Sequence, residues 1–108
     1  MTLVEGCYRF SKELPKEETY GLSSQIRRAS VSVPANIAEG YGRDSSGSYV
    51  NFLKIAQGSL KELETHLILT QRLKLGSFES AAQLLALTDA LGRMLRTLMR
   101  RIEQSVER

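Results

Sequence analysis

The one histidine of the sequence, His66, stands a single helical turn from Glu62 on one side and from Thr70 on the other. A carboxylate and a hydroxyl at that spacing could orient an imidazole for proton transfer, because residues four apart share a helix face. Nucleophilic catalysis would also need a serine, threonine or cysteine held against an oriented base. Metal ligation would need several His, Cys or carboxylate groups converging. A di-metal site inside a helical bundle would need the Glu-x-x-His pairing on two separate helices. Here Glu62 and His66 are four apart and the pairing has no second copy. His66 therefore reads as a structural hydrogen-bonding residue. Cys7 is the single cysteine, so no intramolecular disulfide can form, and its apolar spacing reads as a small core residue. No catalytic, cofactor-binding or metal site is expected, and the chain reads as no enzyme.

What remains for chemistry is charge and surface. Lysine and arginine number 15 against 12 acids, a formal charge of +3, and ten of the cations are arginine. That mild basic bias permits nucleic-acid or anionic-protein partners. Arg93, Arg96 and Arg100 fall within a helical sector of about 60°, with Arg101 at its flank, a line that can track a phosphate backbone. These four are the candidate nucleic-acid-binding residues. A second candidate is the polar stripe Gln25, Arg28, Ser32, Asn36, Glu39 and Arg43. Opposite it lie Val31, Ala35, Ala38 and Gly42, all small or apolar. A helix with two non-polar faces needs two surfaces to pack against, so Val31, Ala35 and Ala38 are the candidate subunit interface.

The elements that carry these residues are helices. Leu3, Cys7, Phe10 and Leu14 recur at helical spacing and predict a first helix over 2–14, which Pro15 ends. Leu22, Ile26, Ala29, Val33 and Ile37 predict a second over 19–41. Pro34 lies inside it. Because the apolar period keeps its phase through Pro34, one kinked helix is expected rather than two. Tyr49, Phe52, Leu53, Ala56, Leu60, Leu63 and Leu67 predict a third over 48–75, with Ile55, Leu69 and Leu73 off its stripe. Gly76 is the expected left-handed C-cap residue and Ser77 the next N-cap. Leu84, Leu87, Leu91, Leu95, Leu98 and Ile102 predict a fourth over 78–106. Short connections force antiparallel neighbours, so the expected fold is an all-α, antiparallel up-down four-helix bundle occupying the whole chain as one domain. Its hydrophobic share of 42% is enough for one core. No secretory leader and no run of about 18 apolar residues is visible, which points to a cytoplasmic protein without a membrane partner.

The stretch LSSQIRRASVSVPANIAEGYGR, followed by FLKIAQGSLKELETHL, resembles a known family. It is similar to the bacterial four-helix-bundle proteins encoded within intervening sequences of 23S ribosomal RNA genes. The same fold serves the accessory variability protein of diversity-generating retroelements. The segment from Ser32 to Gly40 carries most of the likeness. The resemblance implies assembly into a ring-like homopentamer. For the retroelement branch it also implies a basic surface for DNA or RNA and a reverse-transcriptase partner. Family members usually carry a further half-helix ahead of Leu3. The short first helix implies either a late start or an open groove at one end of the bundle. Two functional classes follow: a nucleic-acid-binding or reverse-transcriptase accessory oligomer, and a structural oligomer whose partner is another protein.

Overall fold

The computed structural model describes residues 2–107, with side chains through Ser105. Four helices follow one another: α1 (Thr2–Ser11), α2 (Leu22–Tyr41), α3 (Ser46–Arg72) and α4 (Phe78–Glu107), with a single 3₁₀ turn at Lys16–Glu18 between α1 and α2. Each helix packs on the one before it and α4 closes back on α1, forming a bundle of 51 × 21 × 18 Å. Side-chain pairings set the antiparallel register. The Ser23 hydroxyl donates to the Ser11 carbonyl, the Ser32 and Ser59 hydroxyls meet, and Gln57 Nε2 donates to the Gly92 carbonyl.

The helix ends depart from the sequence expectation, each for a local reason. α1 stops at Ser11 rather than at 14. Over 12–14 the amides bond three residues back, to Arg9, Phe10 and Ser11, and this tightened turn leads into Pro15. Leu14 stays buried there. α2 begins at Leu22 rather than at 19, because the Leu22 amide donates to Glu18 Oε1 and that carboxylate supplies the cap. A Cβ at Gly21 would stand 2.9 Å from the same oxygen. α2 then runs unbroken through Pro34, as one helix.

α3 begins at Ser46 rather than at 48, because Ser45 is the N-cap and accepts from the Ser48 amide at 3.1 Å. It ends at Arg72 rather than at 75, and Gly76 is not its cap. Lys74 takes the left-handed conformation, φ 57°. The Leu75 amide reaches the Thr70 carbonyl and the Lys74 amide the Gln71 carbonyl, the paired bonds of a Schellman ending. Gly76 is also left-handed, with φ 69°, and a Cβ on it would press on Phe10 and Leu14. Ser77 caps α4 as expected, accepting from the Ser80 amide, while the Ser77 amide donates to Glu13 Oε1.

The core comprises Leu3, Cys7, Phe10, Ile26, Ala29, Val33, Leu53, Ala56, Leu60, Leu63, Leu67, Ala81, Leu84 and Leu95, with others packed around them. α4 is rotated relative to its leucine stripe. It buries Ala81, Leu84, Thr88, Gly92, Leu95 and Met99, whereas Leu87, Leu91, Leu98 and Ile102 are only half-buried. The reason lies in helix length. α1 has 10 residues and α4 has 30, so at the helical rise they measure about 15 and about 45 Å. Among the described residues, Leu87 and Leu91 line a gap beside the Thr2 end of α1. An open apolar groove of about 440 Å³ lies there, walled by Leu3, Val33, Pro34, Ile37, Tyr41 and Leu91 among others.

Candidate functional site

Among the described residues, His66 lies on α3 and Cys7 on α1. His66 Nε2 stands 3.5 Å from Glu62 Oε1 without a formed hydrogen bond. Both ring nitrogens are buried without a hydrogen-bond partner among the described residues. The expected structural hydrogen bond is therefore absent, and Thr70 does not supply it: its hydroxyl donates to the Leu67 carbonyl at 2.7 Å, closing on its own helix. Cys7 is fully buried, as its spacing predicts. Burial pushes its thiol up to about 12, and a hydrogen bond with Ser30 offsets part of that rise. A thiol so held is protonated at neutral pH and poor as a nucleophile. Among the described residues no group of three His, Cys, Asp or Glu side chains could hold a metal ion.

The α4 arginines are exposed, and so is Arg101. They are not a bare cationic line. Arg93 donates to Asp89 Oδ2 at 2.9 Å, one turn back. Arg96 shares a shallow depression between α3 and α4 with Lys61, Glu64 and Asp89. Lys61 lies 3.9 Å from Glu64. The sequence reading missed the lysine contribution of α3, which only the α3–α4 register reveals. The Asp89–Arg93 pair was legible, since acids four residues ahead of arginines pair on a helix.

The polar stripe of α2 divides into an inner and an outer part. Ser32 and Asn36 work within the bundle: the Ser32 and Ser59 hydroxyls meet across the helices at 2.7 Å, and Asn36 Nδ2 donates to the Ser32 carbonyl and hydroxyl. Gln25 is half-buried. Glu39 and Arg43 form an exposed ion pair at 2.7 Å, and the Arg43 guanidinium lies 4.6 Å above the Phe52 ring. Arg28 is exposed on the outer side. Gly40 makes this packing possible, because a Cβ there would meet Phe52 Cβ at 2.8 Å.

Val31, Ala35 and Ala38 are all exposed. None of the three belongs to the buried core. Ala38 borders the apolar groove, whereas Val31 borders a separate depression between α1 and α2. On α3, Ile55, Leu69 and Leu73 are exposed too, which matches their position off the main stripe.

The profile of the 23S rRNA-intervening sequence protein family matches residues 1–97, nearly the whole chain. The chain belongs to this family. A crystal structure from Bacteroides thetaiotaomicron, described as a protein with unknown function from the S23 ribosomal protein family, has the same fold. The two share 21% sequence identity and superpose with a TM-score of 0.74 over 90% of this chain and 97% of that one. No curated protein matches the chain.

For this member of the 23S rRNA-intervening sequence protein family, helix order and bundle architecture are those the resemblance implies. The matched stretch contains Ser32, Asn36 and Gly40 of α2, the residues that fix how α2 sits on α3. Among the described residues no helix is long and apolar enough to cross a membrane.

Proposed function

We propose that this protein is a non-catalytic, self-assembling bundle of the cytoplasm that holds nucleic acid by charge and shape. The observation that carries the reading is the separation of two exposed surfaces. Val31, Ala35 and Ala38 are exposed on α2 and Ile55 on α3, whereas Arg93, Arg96, Arg100 and Arg101 are exposed on α4. Subunits can bury the first while leaving the second free. A ring-like homopentamer is the assembly that family resemblance supports, and a reverse transcriptase is the protein partner it supports for the retroelement branch. The test is fluorescence anisotropy with labelled DNA and RNA over a range of salt. Binding should weaken steeply as salt rises, because phosphate contacts release counterions. Replacing Arg93, Arg96 and Arg100 together with Glu should abolish it while the helical spectrum persists. Unchanged affinity in that variant would remove the α4 line from the account.

A second reading has its own observation. The pairing of Arg93 with Asp89 and the nearness of Glu64 dilute the positive charge of the α3–α4 side. That favours a structural oligomer whose partner is another protein. Failure of the parent protein to bind any nucleic acid at low salt would select this reading.

A further inference from the structure

The seam between α1 and the N-terminal half of α2 carries a depression of about 390 Å³ that the α4 arginines do not touch. Tyr8 of α1 forms one wall, and Ser24, Arg27, Arg28, Val31 and Ser32 of α2 form the rest. Its lining contains two arginines and no acid. The depression between α3 and α4 is different, since there Lys61 and Arg96 share their walls with Glu64 and Asp89.

Among the described residues, the hydrogen-bond partners of Arg27 are neutral groups. Its Nη1 donates to Ser11 Oγ at 3.4 Å and its Nη2 to the Thr19 carbonyl at 3.5 Å. Ser11 Oγ in turn donates to the Tyr8 carbonyl at 2.8 Å, so Tyr8, Ser11 and Arg27 form one connected unit. Long contacts to a hydroxyl and a carbonyl orient the guanidinium, and neither partner carries a charge. Arg28 is exposed at the other side of the depression, and Ser24 sits one turn before it on the same face. Two forked cations flanking a depression bordered by hydroxyls suit an oxyanion with several acceptor oxygens. The Tyr8 ring, 42% exposed, stands beside them.

We propose that this depression is a phosphate site for single-stranded nucleic acid. Arg27 and Arg28 hold the oxygens of one phosphodiester, and the open face of Tyr8 receives an adjacent base. An aromatic ring beside arginine is the combination that binds unpaired strands, because every base offers a face to stack on. In a duplex the bases are stacked inside and cannot reach Tyr8, so the strand preference follows from that ring. The inference rests on the nucleic-acid reading above and adds a second locus and a strand preference to it.

The experiment uses the full chain and two labelled oligonucleotides of equal length, an oligodeoxythymidine and a duplex, titrated across a salt series. Arg28→Gln changes an exposed residue, and Arg27→Gln keeps hydrogen-bonding capacity towards Ser11 and Thr19. Each should weaken single-strand binding, and the two together should flatten the log–log salt slope by about 0.7, the value for one lost phosphate on a single strand. Tyr8→Leu should weaken single-strand binding about tenfold, leave the salt slope unchanged and leave duplex binding unchanged. Tyr8→Phe should behave as the parent. Light scattering and circular dichroism on every variant should match the parent, so that a loss reports the site and not assembly. Parent-like affinity and slope in the Arg27→Gln/Arg28→Gln double variant would overturn the site while the wider reading stands. So would an equal loss of duplex binding in Tyr8→Leu. A parent protein that binds neither oligonucleotide would overturn both.

Discussion

The hydroxyls of Ser32 on α2 and Ser59 on α3 meet 2.7 Å apart, and the Ser32 oxygen also lies 3.0 Å from Asn36 Nδ2. A polar contact thus crosses the α2–α3 seam. Its members satisfy one another, so each single truncation leaves a half-buried polar group short of a partner. Ser59→Ala should lower stability by about 1 kcal/mol. Ser32→Ala/Ser59→Ala together should cost less than the sum of the single changes, because residues in one network couple. Urea denaturation of the four proteins measures both quantities. Additive losses would show that the two hydroxyls act independently.

Lys74 ends α3 in a conformation that suits glycine, with φ 57°. A left-handed residue bearing a Cβ costs about 1–2 kcal/mol. Lys74→Gly should raise stability by about 1 kcal/mol after the greater freedom of glycine in the unfolded chain is deducted. A melting temperature at or below the parent's would show that the lysine stem packs well enough to offset the strain.

The Cys7 thiol, ordinarily near 9.0, is pushed up to about 12 by burial. A raised thiol pKa means that folding favours the protonated form. Stability from this source is therefore complete below pH 9 and falls between pH 9 and 12, where the unfolded chain ionises and the folded one does not. The alkaline decline in stability should be shallower in Cys7→Ala than in the parent, with chemical denaturation followed across that pH interval. Identical slopes would place the thiol in a wetter setting than the fold shows.

Ala35 is exposed in the protomer. Ala35→Arg should thus leave the helical spectrum and the melting transition of the isolated subunit nearly untouched, as surface changes usually do. In light scattering it should run as a smaller species than the parent, since a long charged side chain would hold apart surfaces that approach closely through small residues. A variant of parental size would place the assembly contact away from α2.

The bundle was legible wherever apolar period alone decides the outcome. Ile26 and Val33, Leu53, Leu60 and Leu67, and Leu84 and Leu95 all fall where their spacing puts them. The rotation of α4 was not legible, because Thr88 and Gly92 displace Leu87 and Leu91 from the core only through the shortness of α1. Helix ends failed where the deciding group lies outside the helix itself, as with the Glu18 carboxylate beneath α2. Surface groups followed the same division. Asp89 and Arg93 pair along one helix and could be read in advance. The meeting of Tyr8 with Arg27 and Arg28 depends on how α1 slides along α2, and no local pattern fixes that.

Among the described residues the helices running beside α1 are α2 and α4, so α1 depends on the last helix as well as on its neighbour in sequence. Leu84 lies against Gly6, where a Cβ would stand 2.8 Å away, and Phe10 rests against Gly76. During synthesis α1 leaves the ribosome first yet waits for nearly the whole chain before its second partner exists. α2 and α3 can form their hairpin early, since their contacts are close in sequence. Closure of the core is consequently a late event, triggered by the arrival of α4. A nascent chain halted within α4 would present Leu3, Cys7 and Phe10 to solvent and to chaperones.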